Sequence, residues 1–86
     1  MSRSTLTLYS KPGCHLCEDV REILNGLQPE CGYAIAEIDI TTDATLFARY
    51  RYDIPVVVKD GVELARGRID EAALVALLRG SADRRG

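Results

Sequence analysis

Two cysteines three residues apart, Cys14 and Cys17, enclose His15 and Leu16 between the apolar run Leu6-Thr7-Leu8-Tyr9 and a helical run from Glu18 to Leu27. Successive helical turns bring positions i and i+3 onto one face, so two thiols at this spacing can close into a small disulfide and reopen. A helix start also offers unpaired amide donors and the positive end of the helix dipole, which favour a thiolate at Cys14. With an ordinary thiol pKa of about 8.5 only about 3 % is ionised at pH 7, whereas a pKa of about 6 ionises roughly 90 %. That difference amounts to about 3.4 kcal/mol, within reach of the dipole, amide hydrogen bonds and a cationic neighbour acting together. His15 is a candidate for that neighbour, since an imidazolium would stabilise the thiolate and make the disulfide more oxidising; the alternative is an exposed side chain in the first helical turn. A zinc site wants about four ligands, and beyond the pair only Cys31 and His15 remain, at positions that form no second knuckle. The chemistry expected is therefore redox, with no metal.

The rest of the chain narrows the setting. Eighty-six residues make one small domain spanning 1–86, with its core over about 5–79. A net charge of −2 with scattered lysines and arginines gives no footprint for nucleic acid or an anionic membrane. No stretch approaches the roughly 18 apolar residues of a membrane span, and Met1-Ser2-Arg3-Ser4 leads into a strand without a signal-peptide core, so a cytoplasmic location is expected. Three cysteines do not make a secreted disulfide framework, and in a reducing compartment a CxxC pair is catalytic or metal-binding more often than structural. Cys31, in the connection Pro29-Glu30-Cys31-Gly32, reads as a bystander thiol, the alternatives being a glutathionylation or dimer-linking site.

The elements that must position the cysteines alternate along the chain. Thr5 to Ser10 is a strand, broken by the turn formers Lys11-Pro12-Gly13. Val20, Ile23, Leu24 and Leu27 recur at helical spacing, predicting a helix from about Cys14 to Leu27 that stops at Gln28-Pro29. Ala34 to Ile40 is a second strand, and Thr41-Thr42-Asp43 caps a short helix carrying Leu46, Phe47 and Tyr50 that ends near Arg51. Pro55 opens the run Val56-Val57-Val58, which Lys59-Asp60-Gly61 turns back into Val62-Glu63-Leu64-Ala65 as a hairpin. Asp70 caps a last helix with Ala73, Leu74, Leu77 and Leu78, and residues 81–86 read as a frayed tail. This β-α-β-α-β-β-α order predicts an α/β fold with a four-stranded mixed sheet flanked by helices. The first two strands are expected to be parallel and the last two antiparallel, with the cysteines at the carboxyl end of the first strand.

The segment Leu6-Thr7-Leu8-Tyr9-Ser10-Lys11-Pro12-Gly13-Cys14 followed by Cys17 resembles the active-site segment of glutaredoxins. Ile54-Pro55, the hairpin, Gly67 and Asp70 resemble the rest of that thioredoxin-fold family, over residues 5–79. The resemblance implies that Cys14 is the exposed nucleophile and Cys17 the thiol that resolves the mixed disulfide. It implies that Pro55 is a cis proline facing the pair, with the backbone of Ile54 free to pair with an extended substrate. It further implies that Lys11 sits near the thiolate and holds a substrate carboxylate, and that Asp70 and Gly67 receive the far end of glutathione. Three positions depart from the glutathione-binding pattern: Asp53 stands for the usual threonine, Arg66-Gly67 for a glycine pair, and Leu16 for an aromatic residue. They predict weak glutathione binding.

The function expected is that of a monomeric thiol-disulfide oxidoreductase acting on protein or small-molecule disulfides. It needs no organic cofactor and is itself reduced by glutathione or by a thioredoxin-type reductase. Two alternatives stand beside it, a cluster-binding role in which Cys14 holds iron and sulfur at a dimer interface, and a non-catalytic adaptor.

Overall fold

Leu6, Leu8 and Ser10 project to one side of the first strand and are buried, while Thr5, Thr7 and Tyr9 project to the other. This strand, β1 (Thr5–Ser10), runs through the interior of a four-stranded sheet in a computed structural model that describes residues 4–83. It pairs in parallel with β2 (Ala34–Asp39) and antiparallel with β3 (Val56–Lys59), and β3 pairs antiparallel with the edge strand β4 (Val62–Arg66). The mixed four-stranded sheet, with its first two strands parallel and its last two antiparallel, is the one expected from the sequence, and the structure adds the order β2-β1-β3-β4.

Two helices, α1 (His15–Cys31) and α3 (Glu71–Asp83), lay Val20, Leu24, Leu27, Leu74 and Leu78 against Leu6, Leu8 and Val57 to form the core. Each is an apolar stripe at helical spacing removed from water against the apolar face of the sheet. Tyr33 completes this core; its hydroxyl donates to the Leu24 carbonyl at 2.8 Å, and burial pushes its pKa up to about 12. The other face is covered more lightly by α2 (Ala44–Tyr50), none of whose residues is fully buried. There Tyr50 stacks on Tyr9 with ring centroids 4.7 Å apart.

Several boundaries differ from the sequence pattern. The helix α1 passes through Pro29 to Cys31 instead of stopping after Leu27. Proline so near a helix end forfeits one backbone bond at most. Meanwhile Cys31 packs against the core, and Gly32, at φ 77°, closes the helix by donating to the Gln28 carbonyl at 2.7 Å. Strand β2 ends at Asp39, one residue early, because the Asp39 carboxylate accepts from Thr41 N and starts a 3₁₀ turn over Ile40–Thr42. Asp43 caps α2 by accepting from the amides of Thr45 and Leu46. The hairpin turns on Asp60 and Gly61, both at positive φ, the backbone that a tight two-residue β-turn requires. At the far end, residues 81–83 continue α3 rather than fraying, and the remainder of the expected tail lies outside the described residues. No helix among the described residues is long and apolar enough to cross a membrane.

Candidate active site

The turn after β1 is made by Pro12 and Gly13, the latter at φ 79°, and it delivers Cys14 to the N-cap of α1 in an extended conformation. Cys14 takes the part that serine or aspartate usually plays there: the Cys17 amide donates to its Sγ at 3.1 Å, while the Glu18 amide donates to its carbonyl at 3.1 Å. The two cysteines are joined as a disulfide, with Cα atoms 5.2 Å apart. Their environments differ, since Cys17 is fully buried and Cys14 is partly exposed. On reduction, the sulfur that solvent reaches is also the one that receives a helix-start amide, the arrangement that favours a thiolate.

A second segment meets the first. The Ile54–Pro55 peptide bond is cis and Pro55 is buried. Because Tyr9 pairs with Val56, the antiparallel register carries Pro55 to the level of Ser10, at the end of the sheet from which the Cys14 loop departs. The Gly67 amide donates to the carbonyls of both Asp53 (2.8 Å) and Pro55 (2.9 Å), clipping the end of β4 to this loop. One expectation is corrected here. The Ile54 backbone is not wholly free, because its amide extends the α2 pattern and donates to the Tyr50 carbonyl at 3.1 Å. The Gly67 amide is likewise already engaged.

The remaining candidates are more dispersed. His15 is 93 % exposed, with Nδ1 3.8 Å from a carboxylate oxygen of Glu18. Asp70 caps α3 by accepting from the Ala73 amide at 2.9 Å. Lys11 is exposed and lines a recess of about 330 Å³ with Ser10, Pro12, Arg21, Glu37 and Asp39. The departures at 53 and 66 meet each other: Arg66 Nη1 lies 3.0 Å from the Asp53 carboxylate, and the same guanidinium forks onto Glu63 at 2.6 Å. These bonds hold the Glu63 carboxyl below its ordinary range and the Arg66 guanidinium above its own. Among the described residues, no group of three or more His, Cys, Asp or Glu side chains is placed to hold a metal ion.

Sequence reasoning missed a polar cluster beneath the loop. The buried Ser10 hydroxyl donates to Glu37 Oε2 at 2.8 Å, and Arg21 of α1 forks onto the same carboxylate at 2.8 and 2.6 Å. The guanidinium holds the Glu37 carboxyl below the usual carboxylate range, with the Ser10 bond adding to it. The available signal was a lone glutamate within the apolar run Ala34-Ile35-Ala36-Glu37-Ile38. The cluster ties the last residue of β1 to the second turn of α1, the two ends of the segment that carries Cys14 and Cys17.

Comparison with known proteins agrees with this arrangement. Residues 5–79 match the family model described as Glutaredoxin-like domain (DUF836). An uncharacterized protein of Mycobacterium tuberculosis is 35% identical over 81 residues, covering 88% of this chain and 84% of that protein. A glutaredoxin-like protein of Dictyostelium discoideum is 31% identical over 75 residues, covering 80% of this chain and 69% of its own length. Among solved structures, a structural-genomics target from X. campestris superposes with a TM-score of 0.72 at 33% identity, over 87% of this chain and 96% of that one. A thioredoxin variant from Halobacterium salinarum gives a TM-score of 0.73 at 22% identity, over 99% of this chain and 80% of that one, a likeness of fold.

Proposed function

Because the chain belongs to the glutaredoxin-like domain family, we propose that it is a thiol-disulfide oxidoreductase whose dithiol is Cys14 and Cys17. The observation that carries this reading is the inequality of the two sulfurs. Cys14 is reachable and accepts the Cys17 amide, whereas Cys17 is buried behind it. In the reduced protein the Cys14 thiolate attacks a substrate disulfide; a Cys14-to-substrate S–S bond forms, the substrate S–S bond breaks, and the first substrate thiolate leaves and takes up a proton. Cys17 then gives up its proton and attacks Cys14 Sγ, releasing the second substrate thiolate. Two electrons have passed from the dithiol to the substrate, and the Cys14–Cys17 disulfide remains to be reduced by an external thiol couple. The thiols supply the whole chemistry, so the reaction calls for no organic cofactor or metal.

The same loop bears on the choice of electron donor. Arg66 and Asp53 fill the two positions where a glutathione-type ligand would meet a glycine and a threonine, which supports a protein reductase over glutathione as the main donor. The setting proposed is cytoplasmic, with disulfide-bearing proteins as substrates and the chain acting as a monomer. The test is to mix oxidised protein separately with the glutathione and thioredoxin reductase systems and to follow turnover of a small disulfide in each. Turnover abolished by Cys14→Ser is expected. Absence of turnover in both systems, or visible absorbance after anaerobic purification, would favour the adaptor or cluster-binding alternative.

A further inference from the structure

A groove of about 460 Å³ runs along α1 toward the start of α3, its floor made of Leu16, Val20, Ile23 and Ile69 and its rim of Asp19, Glu22 and Glu71. Leu16 is 38% exposed and lies between Cys14 and Cys17 in the first turn of α1, so one end of the groove begins at the turn that carries the disulfide. No lysine or arginine lines it, and none of the three rim carboxylates forms a salt bridge among the described residues, Glu22 feeling only the field of its neighbour Arg21. The nearest arginine on the same helix, Arg21, is already committed to Glu37. An apolar floor of which Leu16 is exposed and Ile23 and Ile69 are partly so, flanked by like charges, is matched by an apolar side chain that brings its own cations, which relieves the repulsion while covering the floor.

We propose that this groove docks the protein whose disulfide Cys14 attacks, taking an apolar side chain flanked by lysines or arginines next to the substrate cysteine. The inference rests on the oxidoreductase reading and adds a substrate class to it. A free anionic tripeptide meets the rim with the wrong sign, whereas a basic segment of a protein is drawn toward the groove and held beside the sulfur.

The test uses two short peptide disulfides that share a leucine beside the cystine and differ only in flanking lysines or glutamates. At low salt the basic peptide is expected to be reduced about tenfold faster, with the gap closing by about 0.5 M NaCl as the rim is screened. In the triple variant Asp19→Asn, Glu22→Gln, Glu71→Gln the ratio should fall to about one. Binding of the same peptides with serine in place of cysteine, read by fluorescence anisotropy, gives the preference without any chemistry. It therefore decides the docking surface even if no disulfide is turned over, an outcome that would sink the oxidoreductase reading instead. Equal rates and equal binding of the two peptides, or a preference that survives the triple variant, would overturn the proposal. So would salt-sensitive self-association that the basic peptide displaces, since a second copy would then occupy the groove.

Discussion

Arg66 reaches the carboxylate of Asp53 at 3.0 Å while its fork is held by Glu63, so the two residues that depart most visibly from the glutathione-binding pattern are paired with each other, one guanidinium between two carboxylates. From the sequence, Asp53 reads as an added negative charge where a carboxylated ligand would dock. In the folded chain that charge shares one guanidinium with Glu63, so the cluster keeps a net charge of −1 while its side chains are engaged with one another.

This makes the two substitutions unequal. Arg66→Gln leaves Asp53 and Glu63 without their cation, so any glutathione-dependent turnover should fall several-fold as like charges are exposed to the ligand. Asp53→Thr leaves Arg66 on Glu63 and should raise that turnover only modestly. Both pairs lie at the surface, so either change should leave the stability nearly unchanged. Steady-state rates at millimolar glutathione with melting curves decide the matter, and a larger gain from Asp53→Thr than the loss from Arg66→Gln would refute the compensation.

The Ser10, Glu37 and Arg21 cluster predicts an acid-sensitive tie under the loop that carries Cys14. The Glu37 carboxyl is held below its ordinary range chiefly by the Arg21 hydrogen bonds. Its stabilisation is thus present above the unfolded carboxyl pKa and is lost as pH falls through the lower folded value. Glu37→Gln should destabilise the protein by about 1 kcal/mol near neutrality, after discounting for the partly exposed pair, and by less at low pH. Urea midpoints of both proteins at pH 7 and in acid test this; a constant difference across that range would speak against it.

Tyr33 gives the opposite sign at the alkaline end. Its phenol is held neutral in the core, with a pKa pushed up to about 12, so the stability it contributes is complete below the ordinary tyrosine value of about 10 and is lost as pH rises through the folded value. Tyr33→Phe should cost about 1 kcal/mol at pH 7 through the lost bond to the Leu24 carbonyl. It should also flatten the decline between about pH 10 and 12. An unchanged alkaline unfolding profile in the variant would exclude this assignment.

What the sequence made legible was local. The cysteine spacing, the Lys11-Pro12-Gly13 break, the Asp60-Gly61 turn and the apolar stripes of α1 and α3 each act within a few residues, and the mixed pairing of the sheet followed from their alternation. Pro29 misled because its cost in the last turn is small, while Cys31 on the core and Gly32 at the C-cap extend the helix, and those contacts come from tertiary packing. The Ile54 amide was misjudged because the helical bonding pattern persists past α2 into the loop. Ser10 and Glu37 stand 27 residues apart and Arg21 and Glu37 stand 16 apart, separations at which only the folded sheet reveals a partner. The same holds for Asp53 and Arg66, joined by the register of the hairpin.

The central claim is that Cys14 is the exposed, ionised nucleophile, and the most direct measurement is limiting iodoacetamide alkylation of the reduced protein across pH, read by mass spectrometry at each cysteine. Cys14 should be labelled first at pH 6, ahead of the buried Cys17 and the half-buried Cys31, with a reactivity inflection below the ordinary thiol value of about 8.5. Preferential labelling of Cys31, or a Cys14 inflection at the ordinary value, would contradict the account.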